Sequence, residues 1–425
     1  YITRFFGVLK ETYGQYHVFW LLAFWGWLTQ QGLKWKAFWG ILFFCDCIYT
    51  VFLNIISTEI TAFQIPSSIF GAILIGLGLD QLLQWISHAT GKSAIWIRCA
   101  RIAAFCFPAL LLATNLYQND QHENYTAYEF GTNVLRSAWD QGTLLVEGDN
   151  LVFPITYLAL VENARPDLAL YDRHNLFFKM PFLYREGPTF TGKWKELRRI
   201  IEDELVESGG HVYIATFNEK VISDRGFDLI PHGLVSRAIP SKKYESALRE
   251  AINPWPSYMT ESFNSTFWRD YMTRTVTGYF FFKMARDLIL RNQEGLGASL
   301  MKKASSIAYN DRTLHGDIAS FYVDMGMLDE AKEALGLFSK YTNKRGLLHN
   351  MWGYYYAKAG NVDNAIVSFE KSVQADPSLF DASRNLGLMY LEKGAPDLAR
   401  QAFEKSLLAN PKQPSLIRLM QSKGW

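Results

Sequence analysis

The sequence has 425 residues, 49% hydrophobic and 15% aromatic, with 43 Lys and Arg against 41 Asp and Glu for a formal net charge of +2. That length suggests two to four domains of about 100–200 residues, and the balanced charge excludes a nucleic-acid binder resting on a strongly basic domain. A mean hydropathy of −0.05 would suit a soluble protein, yet residues 1–115 hold seven of the 13 Trp with only seven basic and four acidic residues, which excludes a chain soluble throughout.

A bilayer core takes about 20 mostly apolar residues in a helix, and four stretches qualify: 16–33, 37–57, 66–87 and 94–116. Lys34 and Lys36 follow the first span, while His88, Lys92, Arg98 and Arg101 gather where the third meets the fourth. By the positive-inside rule both connections face the cytoplasm. The loop with Glu59 and the stretch with Asn115, Asn119, Asp120 and Glu123 fall on the other side, so all residues after 116 are expected outside the cytoplasm. The expectation is an integral membrane protein of bacterial inner membrane or endoplasmic reticulum type, in contact with membrane lipid. An even number of spans places Tyr1 outside too, and without a starting Met or signal peptide the chain reads as the C-terminal part of a longer membrane protein.

Charges inside spans need partners or a function. Asp80 and Arg101 lie at matching depths and are expected to pair between helices, whereas Asp46, near the middle of the second span, has no evident partner. Cys45, Cys47, Cys99 and Cys106 all fall within spans. Residues two apart on a helix point to different faces, so the Cys45 and Cys47 pair is read as structural.

Residues 117–275 alternate helix and strand. A helix over 124–141 precedes an apolar strand at 143–150, a helix at 153–163 precedes a strand at 168–172, and a helix at 194–208 precedes a strand at 211–217. This is the pattern of a small α/β domain with a parallel sheet, to which 227–240 adds an edge hairpin. Gly148, Asp149 and Asn150 stand where a parallel strand gives way to a helix, the place such folds reserve for ligands. A simpler role is open as well: the glycine turns the chain and Asp149 or Asn150 caps the helix. No glycine-rich nucleotide-binding pattern is present.

The run EGDNLVFPITYLALVENARPDLALYDRHNLF over 147–177, together with TEITAFQIP over 58–66, resembles a family of large membrane proteins that includes protein O-mannosyltransferases and is similar to GT-C glycosyltransferases. The likeness covers roughly residues 1–180, and members often end in helical repeats. Leu151 departs from it, standing where bacterial members commonly carry an acidic residue. The resemblance implies transfer of a sugar from a polyprenyl-phosphate donor to a protein acceptor on the outer face of the membrane, with no cofactor held by this chain. It also implies that the catalytic acid lies in an earlier external loop, so no catalytic residue is assigned here. Candidate substrate contacts are Glu59, at the family's acidic position, with Asp46, Asp149, Asn150, Arg165 and Asp167.

From 276 to 425 the chain repeats itself. Gly326, Gly360 and Gly394 are spaced by 34 residues, as are Tyr322, Tyr356 and Tyr390, Ala331, Ala365 and Ala399, and Leu335, Phe369 and Phe403. That is the tetratricopeptide period. Repeats are expected at 312–345, 346–379 and 380–413, after a degenerate helix pair over 278–309 and before a capping helix at 414–422, giving an all-α solenoid. Asn350, Tyr354, Lys358 and Arg384 fall at groove-facing positions and are candidates for holding a protein or peptide partner. His and Cys residues show no metal-ligand spacing, so no metal site is expected.

The expected architecture is therefore multi-domain: a four-span helical transmembrane region over 1–116, an extracytoplasmic α/β domain over 117–275 and a tetratricopeptide solenoid over 276–425. Two functions fit it. One is the C-terminal portion of a membrane glycosyltransferase using a lipid-linked sugar; the other is a membrane-anchored tetratricopeptide scaffold for an envelope or secretion complex without catalytic activity.

Overall fold

The computed structural model describes residues 19–30, 32–49, 65–89, 94–174, 194–217, 227–240, 254–267, 269–411 and 413–425, with the single residues 6, 177 and 178. They form two compact units, one of 1–124 with 265–272 and the other of 125–264 with 273–425.

The first unit holds α1 (Trp20–Thr29), α2 (Leu33–Ile48), α3 (Ile65–Ala89) and α4 (Ala94–Asn119). Gly26 of α1 and Gly78 of α3 meet so closely that an added Cβ on either would collide with the other helix's backbone. Small residues permit such contacts between apolar helices. The indole Nε1 of Trp27 donates to the Lys36 carbonyl at 2.9 Å, tying α1 to α2. Among the described residues two stretches are long and apolar enough to cross a membrane, Ser68–Ala89 and Ile97–Tyr117, overlapping the third and fourth expected spans. The first two expected spans hold helices of 10 and 16 described residues, and residues 50–64 lie outside the described ones. The expected pair between Asp80 and Arg101 does not form among the described residues. Asp80 instead accepts from the Gln84 side-chain amide at 2.8 Å, a partner one turn along its own helix.

The second unit is built on a five-stranded sheet of β1 (Thr143–Val146), β2 (Ala169–Asp172), β3 (Val212–Ala215), β4 (Phe227–His232) and β5 (Val235–Pro240), in the order β2-β1-β3-β5-β4. β1 runs parallel to both β2 and β3, and the β4–β5 hairpin adds antiparallel at the β3 edge. Three helices accompany it: α5 (Thr126–Ser137), α6 (Asp149–Leu160) and α7 (Trp194–Glu207). Side chains alternate across a strand. Leu144, Val146, Tyr213 and Ala215 therefore join the core shared with α5 and α6, while Leu145, Val212 and Ile214 pack with Ile201 and Val206 of α7.

The larger core continues without a break into the repeats. After α8 (Glu261–Asn264) come α9 (Tyr271–Leu290) and α10 (Glu294–Ile307). Phe263 stacks on Phe280 of α9 with ring centroids 4.0 Å apart, and Phe217 stacks on Tyr279 at 4.4 Å. The helix pairs α11 (Arg312–Asp324) and α12 (Leu328–Tyr341), α13 (Arg345–Lys358) and α14 (Val362–Ala375), α15 (Phe380–Glu392) and α16 (Pro396–Ala409) follow, and α17 (Pro414–Ser422) closes the array. Gly326, Gly360 and Gly394 turn each pair at φ of 72°, 71° and 78°, a backbone region that favours glycine.

Candidate functional site

At the C-terminal ends of the parallel strands the chain reverses its direction of winding. From β1 it passes through α6 to β2 on one side, then through α7 to β3 on the other, so the crevice between the ends of β1 and β3 is where ligands enter such sheets. Glu147 follows β1, Arg173 and His174 follow β2, and Thr216 follows β3. The Arg173 side chain is fully buried. Its Nε donates to Glu202 Oε1 at 2.6 Å, its Nη2 to Glu202 Oε2 at 3.2 Å and its Nη1 to Glu147. Burial opposes the guanidinium charge, but the hydrogen bonds and charges of Glu202 and Glu147 outweigh it and raise the Arg173 pKa.

Arg198 adds a second cation, its Nη1 lying 3.9 Å from Glu147 and its Nε 3.8 Å from Glu202. Two carboxylates thus meet two guanidinium groups, which makes a buried network tolerable. Glu147 is the member that reaches outward. Thr216 Oγ1 donates to it at 3.3 Å, and the exposed His174 ring stands 3.7 Å away. Chemically, this edge offers an ordered carboxylate beside an imidazole, able to accept hydrogen bonds from a hydroxyl-bearing ligand.

Asp149 and Asn150 adjoin this edge. The expected cap does not form: Gly148, at φ 97°, precedes the helix and no side chain caps it. Asp149 is already the first helical residue, whereas a capping residue stands one position earlier in non-helical conformation. Its exposed carboxylate sits in the first turn, where the helix dipole favours negative charge. Arg165 and Asp167 are brought together, in a different setting. Arg165 reaches Asp167 through Nε and Nη2, both at 2.8 Å, and donates to the carbonyls of Leu135, Ala138 and Trp139 at 2.7, 2.9 and 3.2 Å. This hydrogen bonding holds Asp167 well below the usual carboxylate range. The pair ties the end of α5 to the start of β2. Asp46 is half-buried in α2, in the other unit, and Glu59 lies outside the described residues.

The repeat candidates share one face. Asn350, Tyr354 and Lys358 recur every fourth residue along α13, and the Lys358 ammonium lies 6.0 Å from the Tyr354 ring. Burial, then the Asp324 carboxylate, raises the Tyr354 pKa, while Arg384 of α15 opposes the shift. Arg384 is itself held by Asp381 at 2.6 Å, and the buried Asn350 Oδ1 has no hydrogen-bond partner among the described residues. Towards the sheet lies a pocket of about 160 Å³ lined by Thr216, Phe217, Lys283, Arg286, Asp317 and Asp324. Thr216 therefore borders both the Glu147 network and the first repeat. Sequence reasoning missed Glu147, Arg173, Arg198 and Glu202. The available signal was the charged residue directly after each apolar strand, Glu147 and Arg173. Among the described residues no group of three or more His, Cys, Asp or Glu side chains gathers as metal ligands would.

The tetratricopeptide repeat family model matches residues 348–379 and 385–413. The mouse protein O-mannosyl-transferase TMEM260 is 24% identical over 260 residues, which is 52% of this chain and 35% of that protein. Its namesake in Dictyostelium discoideum is 23% identical over 299 residues, 56% of this chain and 34% of that one. The chain spans about a third of the length of these curated relatives. A solved structure titled "Functional Characterization of Pseudomonas Aeruginosa pilF" aligns with 35% of this chain and 70% of its own at 20% identity and a TM-score of 0.30. The chain is thus a distant relative of protein O-mannosyl-transferases that carries tetratricopeptide repeats.

Proposed function

We propose that this chain is the C-terminal portion of a polytopic membrane glycosyltransferase that moves a sugar from a polyprenyl-phosphate donor to a protein acceptor on the extracytoplasmic face. The similarity to two curated protein O-mannosyl-transferases carries this reading, and the apolar helices Ser68–Ala89 and Ile97–Tyr117 accord with it. Four spans anchor the chain, their basic connections lie in the cytoplasm, and the sheet and repeats stand outside. Glu59, Asp46, Asp149 and Asn150 are the candidate substrate contacts, and Glu147 adjoins the last two. The face with Asn350, Tyr354, Lys358 and Arg384 holds the acceptor or a partner protein.

In the transfer, the acceptor hydroxyl oxygen bonds to the anomeric carbon as the bond from that carbon to the phosphate oxygen breaks. The hydroxyl proton passes to a carboxylate base, which must stand within hydrogen-bond reach. The lipid-linked sugar is the donor and no further cofactor is required.

Deleting the full gene in the source cell and complementing it tests the reading. Mass spectrometry of a co-expressed acceptor should show its O-linked hexose lost on deletion and restored by the intact gene. An acceptor glycosylated equally in both strains would defeat the enzyme and leave a repeat scaffold, detected then as a stable protein complex lost with the gene.

A further inference from the structure

A second cavity, of about 340 Å³, opens between α10, α11 and α12, with His315, Ile318, Tyr322, Glu330, Glu333 and Tyr341 in its wall. His315, Ile318 and Tyr322 recur at three- and four-residue steps, so they share a face of α11 distinct from that of Asp317, Ser320 and Asp324, which line the pocket beside the sheet.

His315 is 1% exposed. Its Nε2 lies 2.8 Å from the Tyr309 carbonyl oxygen. A carbonyl only accepts, so Nε2 carries a proton, and in the neutral tautomer this bond selects, Nδ1 is an acceptor. Nδ1 is buried with no hydrogen-bond partner among the described residues. The ring cannot swing away to find one without giving up its stack on Tyr341, with centroids 5.5 Å apart and planes at 16°. The wall thus contains a fixed acceptor whose desolvation is uncompensated.

The charge around it is mainly negative. Glu330 and Glu333 enter no ion pair among the described residues. Burial, followed by these two carboxylates, pushes the Tyr322 hydroxyl up to about 12. Among the lining residues the opposing charge is the exposed Lys302, and behind the wall the Arg274 guanidinium lies over the Tyr309 ring at 4.9 Å.

We propose that this cavity binds a guanidinium or alkylammonium group, whose N–H donates to His315 Nδ1 while Glu330 and Glu333 meet its charge and its stem packs on Ile318 and the tyrosine rings. Aromatic walls favour cations further. The group comes from a basic peptide side chain or a free small amine, which offer the same chemistry.

Calorimetric titration of the full chain in detergent with butylguanidine and its neutral isostere butylurea tests this. Butylguanidine should bind at least about tenfold tighter than butylurea, and Glu330→Gln with Glu333→Gln should remove most of that preference. Lys302→Gln should tighten binding, and His315→Phe should abolish it. Should His315→Phe fail to fold, the variants of half-buried Glu330 and of exposed Glu333 and Lys302 still decide. Equal affinity for the urea and the guanidine, wild-type affinity in the double Gln variant, or no binding of either compound would overturn the proposal. Nα-acetyl-arginine methylamide binding tighter than butylguanidine identifies a peptide source; weaker binding identifies a free amine.

Discussion

Arg165 shows how a binding motif and a structural clamp look alike in one dimension. It adopts a positive φ of 51° and directs its donors to Asp167 and to three carbonyls at the end of α5. Replacing Arg165 by Ala leaves the Ala138 carbonyl without this donor and Asp167 with only the Gln141 N–H, at 3.0 Å, of the bonds that hold it, and should cost about 1–2 kcal/mol. Asp149→Asn removes no hydrogen bond and should change stability by less than about 0.5 kcal/mol, so thermal unfolding of both variants separates the clamp from the exposed turn. The RPD sequence was legible, but its partners lie 25–30 residues upstream, and no local pattern reveals them.

His232 carries the pH dependence at this scale. It is 3% exposed in β4. Burial first, then Arg237, Arg291 and His211, outweigh Asp287 and press its pKa down from 6.5 to about 4. Above about pH 6.5 the ring is neutral in both folded and unfolded chains. As the pH falls below that, only the unfolded chain takes up the proton, so stability declines towards pH 4 by up to about 3 kcal/mol. The thermal midpoint should therefore drop between pH 7 and pH 5, and His232→Gln should flatten that drop. An equally steep profile in the variant would rule His232 out as its source.

At the scale of elements, the repeats were the most legible part because stacking helix pairs demands a fixed period. Gly353 of α13 faces Phe369 of α14, where a Cβ would stand 2.6 Å from ring carbons. Gly353→Ala should overpack this contact and cost about 1–3 kcal/mol, with partial recovery on adding Phe369→Leu. Gly336 provides the control, since its Cβ would meet nothing within 4 Å, and Gly336→Ala should stabilise α12 by up to about 1 kcal/mol. Equal effects at the two sites would show that the fit against Phe369 is loose. β3 was legible for a related reason: a four-residue apolar run buried on both sides leaves few alternatives. The start of α6 was not, because Gly148 and Asp149 both suit a helix boundary and only the observed φ of 97° assigns the turn to Gly148. Nor was the contact of Gly26 with Gly78, as glycines within apolar helices give no sign of which helix they meet.

At the scale of the molecule, the sequence invites a division between α/β domain and repeats, while the packing joins them. Phe217, Trp255 and Phe263 come from the sheet side, and their ring partners Tyr279 and Phe280 come from α9. These aromatic contacts connect distant segments, so the change from alternating to repetitive pattern could not reveal them. A fragment of 125–264 leaves these rings facing water and should show near-ultraviolet circular dichroism without tertiary signal and no cooperative melt. A fragment of 125–344 keeps α9–α12, which supply the rest of that core up to Phe338, and should melt cooperatively. The reverse pattern, a sharp transition in the shorter fragment, would mean that the sheet stands alone and the repeats merely dock on it. Cooperative melting in the longer fragment alone would instead make the first repeat part of the structure that holds the Glu147 network in place.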